Sequence, residues 1–573
     1  MPVANEHIAD IFRRVSDLLE IKGANFYRVR AYRQAGRLIA QLDEPIVNMV
    51  EEGEDLTRLN GIGDDLAGKI AEIVQTGSLD QLKRLEAEVP AGLTELLEVP
   101  GLGAKRAAEL HKRLGVEDLD GLRAAAVAGR IQDLKGYGAK TEQKILKGIK
   151  EVKERDKRFL LSKADALARP FLLHLDKTGK AEGLRLAGSH RRRKATVGDI
   201  DIIATSNDGA AIMDAAVGYD GVEEVVQKGE KRTTVRLKGG LQVDIRVVPP
   251  EAFGSALLYF TGAKEHNIAL RRRAIRQGYS LNEYGLHKDG ETVAAETEEG
   301  IYGRLGLQWV PPELREDAGE LEAAADHALP ELVAHDDLRG DLHMHTERTD
   351  GRDSLREMAE RARELGREYI AITDHSKRVT MVKGLDTDGY AEQWEEVDAL
   401  NDELDGITIL KGAEVDILKD GSLDLDDKTL EGFDVVVCSV HYDRDMDSDQ
   451  MTERILKAMA NPNANILGHP RGRRLGRRGP LRFDIDRLAE ASVEQGWFFE
   501  IDAQPERMDL PDEDARHVKS AGARFVVSSD AHNTGMLGHI DNGVDLARRA
   551  WLTKDDILDT LPLDKFQDAI KRE

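Results

Sequence analysis

Gly188-Ser-His-Arg-Arg-Arg-Lys-Ala-Thr-Val-Gly-Asp-Ile-Asp201 is the stretch on which the reading of this chain turns. Apolar runs flank it, Leu184 to Ala187 before and Ile202-Ile203-Ala204 after, so a Gly-Ser turn and four consecutive bases sit between two expected strands. Asp199 and Asp201 stand at i and i+2, a spacing that sends both carboxylates to one face of a strand. Two acids on one face repel unless cations lie between them, and hard divalent ions such as Mg²⁺ take oxygen ligands. A third acid, Asp244, sits in the β-forming run Leu241-Gln-Val-Asp-Ile-Arg-Val-Val248. If that run pairs beside the first, three carboxylates converge as a two-metal phosphoryl-transfer site requires. The Gly188-Ser189 turn offers backbone N–H groups to phosphate, and Arg191, Arg192 and Lys194 offer charge. An Asp-x-Asp pair alone is equally at home on a solvated strand.

The longer pattern Gly-Ser-x-Arg-Arg-x(5)-Gly-Asp-x-Asp resembles the palm signature of family X DNA polymerases, with Asp244 at the position of that family's third catalytic acid. The resemblance implies a nucleotidyltransferase-type palm with a mixed β-sheet, two Mg²⁺ on Asp199, Asp201 and Asp244, and Gly188, Ser189, Arg192 and Gly198 around an incoming nucleotide. It continues through Phe253-Gly-Ser-Ala-Leu-Leu-Tyr259-Phe260-Thr261-Gly262-Ala-Lys-Glu-His-Asn267-Ile-Ala-Leu-Arg271, which is similar to the family's nucleotide-selecting motif. By that likeness Tyr259 and Phe260, next to Gly262, pack on the incoming sugar, Asn267 touches the base's minor-groove edge and Arg271 the template side. Read alone, the motif is a buried aromatic pair opening a helix. The similarity runs on through Gly278-Tyr-Ser-Leu-Asn-Glu-Tyr-Gly-Leu286 and covers about residues 5–312.

Ahead of the palm, residues 5–88 read as helical, with Ile8, Ile11, Phe12, Val15, Leu18 and Leu19 at helix spacing. Gly61-Ile-Gly63, Gly101-Leu-Gly103 and Gly136-Tyr-Gly138 each open an amphipathic helix, the helix-hairpin-helix pattern. Its glycines permit close approach, and the helix-start N–H groups hold a backbone phosphate without reading bases. Three copies point to sequence-independent DNA binding, where one would serve as a plain turn. Lys69 stands where the family's sugar-phosphate lyase members carry their Schiff-base lysine, although Asp64 and Asp65 beside it would raise the pKa that an imine-forming amine needs lowered. Tyr27, Arg28, Arg30, Tyr32 and Arg33 are candidates for a DNA-end pocket or for helix packing.

With 573 residues the chain exceeds one core. Its hydrophobic content of 40% is ordinary for a globular protein, and no apolar run reaches membrane-span length. The first residues lack an export signal, and the single Cys438, in an apolar run, reads as a buried inert thiol; a reducing cytoplasm fits both. The net charge of -25 is uneven: residues 1–310 carry 48 Lys+Arg against 47 Asp+Glu, and 311–573 carry 34 against 60. Residues 101–200 hold 24 bases and 13 acids, an electrostatic footprint for a polyanion or a solvated basic face. Residues 313–338, acidic and Ala-rich, read as a partly helical connector.

After Gly340 the histidines fall in motif-like places. Asp341-Leu-His343-Met-His345 puts two imidazoles on one face of a strand end, Asp350 follows, and later apolar runs end in Asp374-His375, Glu414, His441, His469, and Asp530 with His532. Strand–helix alternation with polar strand ends is the logic of a (β/α) barrel. Six histidines and three acids at such ends are hard to bury unpaired, and mixed imidazole and carboxylate ligation suits Mn²⁺, Zn²⁺ or Fe²⁺. The motifs together resemble a PHP (polymerase and histidinol phosphatase) domain over about residues 339–573. That resemblance implies up to three metals: one on His343, His345, Glu414 and Asp530, one on Glu414, His441 and His469, one on Asp350, His375 and His532. Asp502, where related domains often carry Asn, departs from the pattern outside these ligands. Arg471, Arg473, Arg474, Arg477, Arg478 and Arg482 form a basic loop near His469, either a DNA grip or a solvated loop.

The expected architecture is therefore multidomain, α+β and α/β. Helical domains at 1–88 and 89–158 precede the palm at 159–250 and a nucleotide-selection subdomain at 251–312; a linker at 313–338 leads to a distorted (β/α)7 barrel at 339–573. The resemblances imply a cytoplasmic, monomeric DNA-directed DNA polymerase that fills gaps in gapped or nicked DNA from dNTPs during repair. Its PHP module, holding Mn²⁺ or Zn²⁺, would act as a 3′–5′ exonuclease, 3′-phosphatase or abasic-site endonuclease. Two other readings are a phosphoesterase localised by an inactive polymerase half, and a non-enzymatic DNA-end scaffold.

Overall fold

The computed structural model describes residues 5–40, 46–51, 54–59, 61–76, 79–89, 91–99, 102–134, 136–155, 158–206, 208–378 and 384–570. The chain divides into two compact units, 1–157 and 158–573. No helix among the described residues is long and apolar enough to cross a membrane.

Helices build the first unit. Ile8, Ile11, Phe12, Val15, Leu18 and Leu19 share one face of the Asn5–Ile21 helix and are all buried, as their spacing requires. Buried side chains from Ile8 to Ile149 form a single cluster, so the segments 1–88 and 89–158 share one core. Gly61 and Gly136 adopt φ of +100° and +95°, a region that penalises any Cβ. Gly63, Gly103 and Gly138 directly precede the helices Asp64–Thr76, Ala104–Leu114 and Ala139–Arg155. A side chain at any of these five glycines would meet nothing within 4 Å, so their backbone is bare to an approaching molecule. Gly101 lies outside the described residues.

In the second unit a five-stranded sheet holds the 188–201 motif. Its strands are β1 (Gly183–Leu186), β2 (Asp199–Thr205), β3 (Val222–Lys228), β4 (Arg232–Leu237) and β5 (Gln242–Val248), in the order β1-β2-β5-β4-β3. β2 and β5 are parallel and the other pairs antiparallel, which makes the sheet mixed. Strand alternation sorts the side chains: Ile200, Ile202, Val243 and Ile245 join the core beneath the sheet, and Asp199, Asp201 and Asp244 take the opposite face.

Seven parallel strands follow in sequential order: β6 (Gly340–Asp341), β7 (Tyr369–Ile372), β8 (Thr408–Asp416), β9 (Val435–Ser439), β10 (Ile466–Leu467), β11 (Phe498–Asp502) and β12 (Arg524–Ser528). The His345 amide donates to the Ala531 carbonyl at 2.8 Å, drawing the first and last strand ends together into a nearly closed barrel. Val435 and Val437 point into its interior, and Val436 and Cys438 pack under the surrounding helices, so the only thiol is buried.

The 313–338 segment is partly helical, over Glu320–Ala325, and sends Leu314, Leu321, Ala324 and Val333 into the neighbouring cores. Arg315 is wholly buried and forms two hydrogen bonds to Glu298, at 2.7 and 3.0 Å, while Arg191 approaches the same carboxylate at 2.7 and 2.9 Å. Burial pushes Glu298 up, but the two guanidiniums outweigh it and hold its pKa near 2. The helix Ile540–Arg549 ties the barrel to the motif loop: Arg193 donates to Asp545 at 2.7 Å, and Arg549 donates to the Arg192 carbonyl at 2.7 Å and pairs with Glu316 at 3.2 Å. Arg548 reaches Glu313 at 2.8 Å.

Candidate functional site

Asp201 and Asp244 are direct register partners on β2 and β5, and Asp199 lies two residues back on the same face. Gly188 has φ +63°, and a Cβ there would come within 2.6 Å of an Asp201 carboxylate oxygen, so only glycine lets the turn lie against this acid. Their environments differ. Burial first, then Asp199 and Asp244, push Asp201 up to about 7. Burial and Asp244 raise Asp199, against which Arg158 acts. For Asp244, hydrogen bonds from Thr234 (2.5 Å), Gln242 (2.9 Å) and Arg232 (2.9 Å) outweigh burial and hold it below the usual carboxylate range. Among the described residues, ligand atoms gather within 4.8 Å in threes or more at the barrel rim and not at this trio, whose third acid is turned to Arg232.

The bases of the motif, which the sequence offers as charge for a phosphate, also engage partners within the protein. Arg191 is taken up by Glu298. Arg192 donates to Glu316 at 3.0 Å and to the Thr261 carbonyl at 2.5 Å, Lys194 pairs with Glu316 at 3.3 Å, and Arg193 joins Asp545 and Asp165. Gly262, at φ +69°, lies against Arg192, and Gly198 lies near Arg158. Ser189 stays in the short Gly188–Arg191 helix. Tyr259, Asn267 and Arg271 line one small hollow with Ser255 and Asn282, and Asn267 donates to the Tyr259 carbonyl at 2.7 Å. The Tyr259 and Phe260 rings meet edge-on at 5.0 Å, and Arg246 stacks over Phe260 at 4.3 Å.

In the first unit Lys69 contacts Asp65 at 2.5 Å and lies 5.6 Å from the Tyr32 ring centre. Burial lowers its pKa, but Asp65 and Tyr32 outweigh burial and raise it, opposite to what a neutral imine-forming amine requires. Tyr27, Arg28 and Arg30 are exposed, whereas Tyr32 is a core residue and Arg33 pairs with Glu20 and Asp17.

The barrel rim holds the densest cluster. Glu414, 1% exposed on β8, has imidazole nitrogens of five histidines around its carboxylate: His375 at 2.7, His469 at 2.9, His441 at 3.4, His343 at 3.6 and His345 at 3.8 Å. Asp530 lies 3.2 Å from His345, and Asp350 lies 3.3 Å from His375 and 3.2 Å from His532. The ligand-type groupings are His343, His345 and Asp530; His375, Glu414 and His441; and His345, Asp350, His375 and His532. These differ in membership from the expected sets: Glu414 groups with His375 and His441 and not with His343 and His345, His345 joins the Asp350 grouping, and His469 reaches Glu414 from outside all three. Nitrogens of His343, His345 and His469 are buried without hydrogen-bond partners, as metal ligands would be. Burial would lower His375, yet Glu414 and Asp350 raise it to about 10; burial and the neighbouring His375 and His532 push His345 down to about 3. His469 and Asp530 hold left-handed backbone, φ 26° and 46°, strain of the kind that functional sites store.

The sequence reading missed the groups behind these ligands. Glu500 on β11 is fully buried; it accepts the His343 Nδ1 hydrogen bond at 2.7 Å and the His469 amide at 2.5 Å. Asp416 lies 3.3 Å from His441 Nδ1, and Arg507 bridges Asp502 at 3.3 Å and Asp530 at 3.5 Å. Such carboxylate–histidine pairs fix the tautomer and aim Nε2 at a metal. Replacing Glu500 with Gln is therefore expected to raise the Mn²⁺ concentration needed for half-maximal phosphoester hydrolysis by about 10–100-fold, with saturated activity falling far less. A metal titration of variant and parent checks this, and an unshifted curve would refute it.

Comparisons with known proteins agree with this layout. A DNA polymerase beta thumb model matches residues 256–316, a helix-hairpin-helix domain model 3–79, a SAM-like helix-hairpin-helix tandem model 93–151 and a PHP domain model 341–502. Fold and sites thus define a protein that joins a family X polymerase half to a PHP metal barrel. Over 573 residues the chain is 36% identical to the DNA polymerase/3′-5′ exonuclease PolX of Bacillus subtilis (strain 168), covering 99% of this chain and 100% of that protein. The chain belongs to the PolX family. The barrel half is 28% identical over 233 residues to a probable phosphatase of Thermoanaerobacter sp. (strain X514), 38% of this chain and 89% of that protein. DNA polymerase lambda of Rattus norvegicus is 25% identical over 346 residues, 54% of this chain and 56% of that protein.

Proposed function

We propose that this chain is a DNA-directed DNA polymerase that fills short gaps in repair DNA and, with its PHP barrel, trims 3′ ends as a 3′–5′ exonuclease, 3′-phosphatase or abasic-site endonuclease. The observation that carries the polymerase reading is the register of Asp201 against Asp244 beside the Gly188 turn. Asp199, Asp201 and Asp244 hold two Mg²⁺; Glu414, Asp350, Asp530 and the six rim histidines hold up to three Mn²⁺ or Zn²⁺. Bound there, such ions activate an attacking oxygen and neutralise phosphoryl oxygens. Asp244, kept ionised by its hydrogen bonds, accepts the primer hydroxyl's proton directly or through water. Tyr259, Phe260, Asn267 and Arg271 position the dNTP sugar, base and template side. The bare glycine turns of the first unit hold DNA backbone phosphates at helix starts, and the protein works as a monomer.

The test is incorporation opposite a one-nucleotide gap with each site inactivated in turn. Asp244→Ala is expected to remove gap filling and spare manganese-dependent release of mononucleotides, and His345→Ala to do the reverse. Gap filling that survives Asp244→Ala would sink the polymerase reading; a parent chain without gap filling but with phosphoesterase activity would favour a localised phosphoesterase.

A further inference from the structure

The six arginines between Arg471 and Arg482 divide into two groups. Arg471 and Arg473 serve the fold: Arg471 donates to Asp514 at 2.7 Å and stacks on Phe483, and Arg473 donates to the Arg507 carbonyl at 2.9 Å. Arg474, Arg477, Arg478 and Arg482 are exposed. Backbone hydrogen bonds join Arg474 and Arg478 in both directions, at 2.9 and 2.8 Å, and the Leu475 amide donates to the Glu506 carbonyl at 2.7 Å. The Arg478 guanidinium donates to the Gly472 carbonyl at 2.8 Å, and Gly472, at φ +52°, lies so close to Arg444 that a Cβ would come within 2.5 Å of its guanidinium. The turn is a fixed platform.

Its charge is largely uncompensated. Of the four exposed arginines, Arg477 alone forms an ion pair among the described residues, with Glu506 at 3.2 Å. Burial and the neighbouring Arg478 and Arg507 push Arg444 down to about 10, the mark of crowded cations. The ridge stands at the metal-type pocket: Arg474 lines a cavity of about 340 Å³ together with Asp350, His375, Glu414, His441 and His532. A cavity of that size has room for one nucleotide-sized group. Residues 311–573 carry 34 bases against 60 acids, so an anionic strand is repelled elsewhere and admitted at this ridge.

We propose that the Arg474–Arg478 turn holds backbone phosphates of a single DNA strand whose 3′ end lies in the metal pocket, making the barrel selective for nucleotide chains over small phosphoesters. The inference rests on the phosphoesterase reading above. It is tested on the full Mn²⁺-loaded chain with two substrates, a single-stranded oligonucleotide and bis(4-nitrophenyl) phosphate, comparing the parent with an Arg474→Ala/Arg477→Ala double variant. Arg478 is left in place because it supports Gly472. On the oligonucleotide, kcat/KM is expected to fall on the order of tenfold or more, mainly through KM, and its slope against log salt to flatten by about 1.4 for two lost single-strand phosphate contacts. Hydrolysis of the small diester, which meets only Arg474 at the pocket wall, should fall at least about fivefold less than that of the oligonucleotide, and Arg474→Lys/Arg477→Lys should restore most of the loss. Equal losses on both substrates, or no loss on either, would overturn the proposal alone. A parent inert on both substrates would overturn the phosphoesterase reading and the proposal with it.

Discussion

Asp201→Asn is expected to abolish nucleotide incorporation and, at the same time, to stabilise the ion-free protein above neutral pH. The carboxyl is pushed up to about 7 by burial and by Asp199 and Asp244. A raised acid means that the folded chain keeps a proton the unfolded chain has already lost above its ordinary carboxylate pKa. The penalty is absent near pH 4, grows as pH rises, and is complete above about 7. Its ceiling is on the order of 4 kcal/mol at about 1.4 kcal/mol per unit. Asn removes it, so in EDTA the melting temperature of the variant should exceed the parent's at pH 8 and match it near pH 4. With saturating Mg²⁺ the order should reverse, because the parent gains from ion binding and the variant does not. Incorporation should drop by at least about three decades, the loss of several kcal/mol of metal-borne charge stabilisation. A melting difference independent of pH would show that the carboxylate charge is not its source.

Glu414→Gln should silence the barrel and leave the palm working. One carboxylate sits among five imidazoles, so an isosteric amide takes away the anion that binds the rim together without changing its shape. Burial pushes Glu414 up, but His375, His441 and His343 outweigh it and hold it well below the usual range. Phosphoester hydrolysis is expected to fall by about three decades or more, bound metal by at least one ion per chain, and gap filling by less than twofold. In the ion-free variant His375 should titrate well below its present value of about 10, because the buried anion that outweighs desolvation is gone. Metal analysis, both activity assays and a histidine NMR titration check this. Unchanged hydrolysis would remove Glu414 from the site.

Much of this arrangement was legible from residue order. Alternation along 199–205 and 242–248 separates acids from core residues, and a ligand at the end of nearly every apolar run after Gly340 betrays a barrel rim. What escaped was partnership across long stretches of chain. Glu500 meets a histidine 157 residues away, and nothing local marks it as different from any strand acid. The same holds for the bases at 191–194: the acids that engage them within the protein, Glu298, Glu316 and Asp545, lie over a hundred residues downstream. The acidic, Ala-rich 313–338 stretch, without strand signals, reads as a partly helical connector, and its burial of Arg315 and Glu320 was not legible. Composition cannot distinguish a charged spacer from a charged lining.

The bonds that Asp545 and Arg549 make to Arg193 and the Arg192 carbonyl carry an evolutionary consequence. A lineage that discarded the barrel would lose Asp545 from Arg193 and the Arg549 guanidinium from the Arg192 carbonyl, and the loop beside Asp199 and Asp201 would have to find replacements locally.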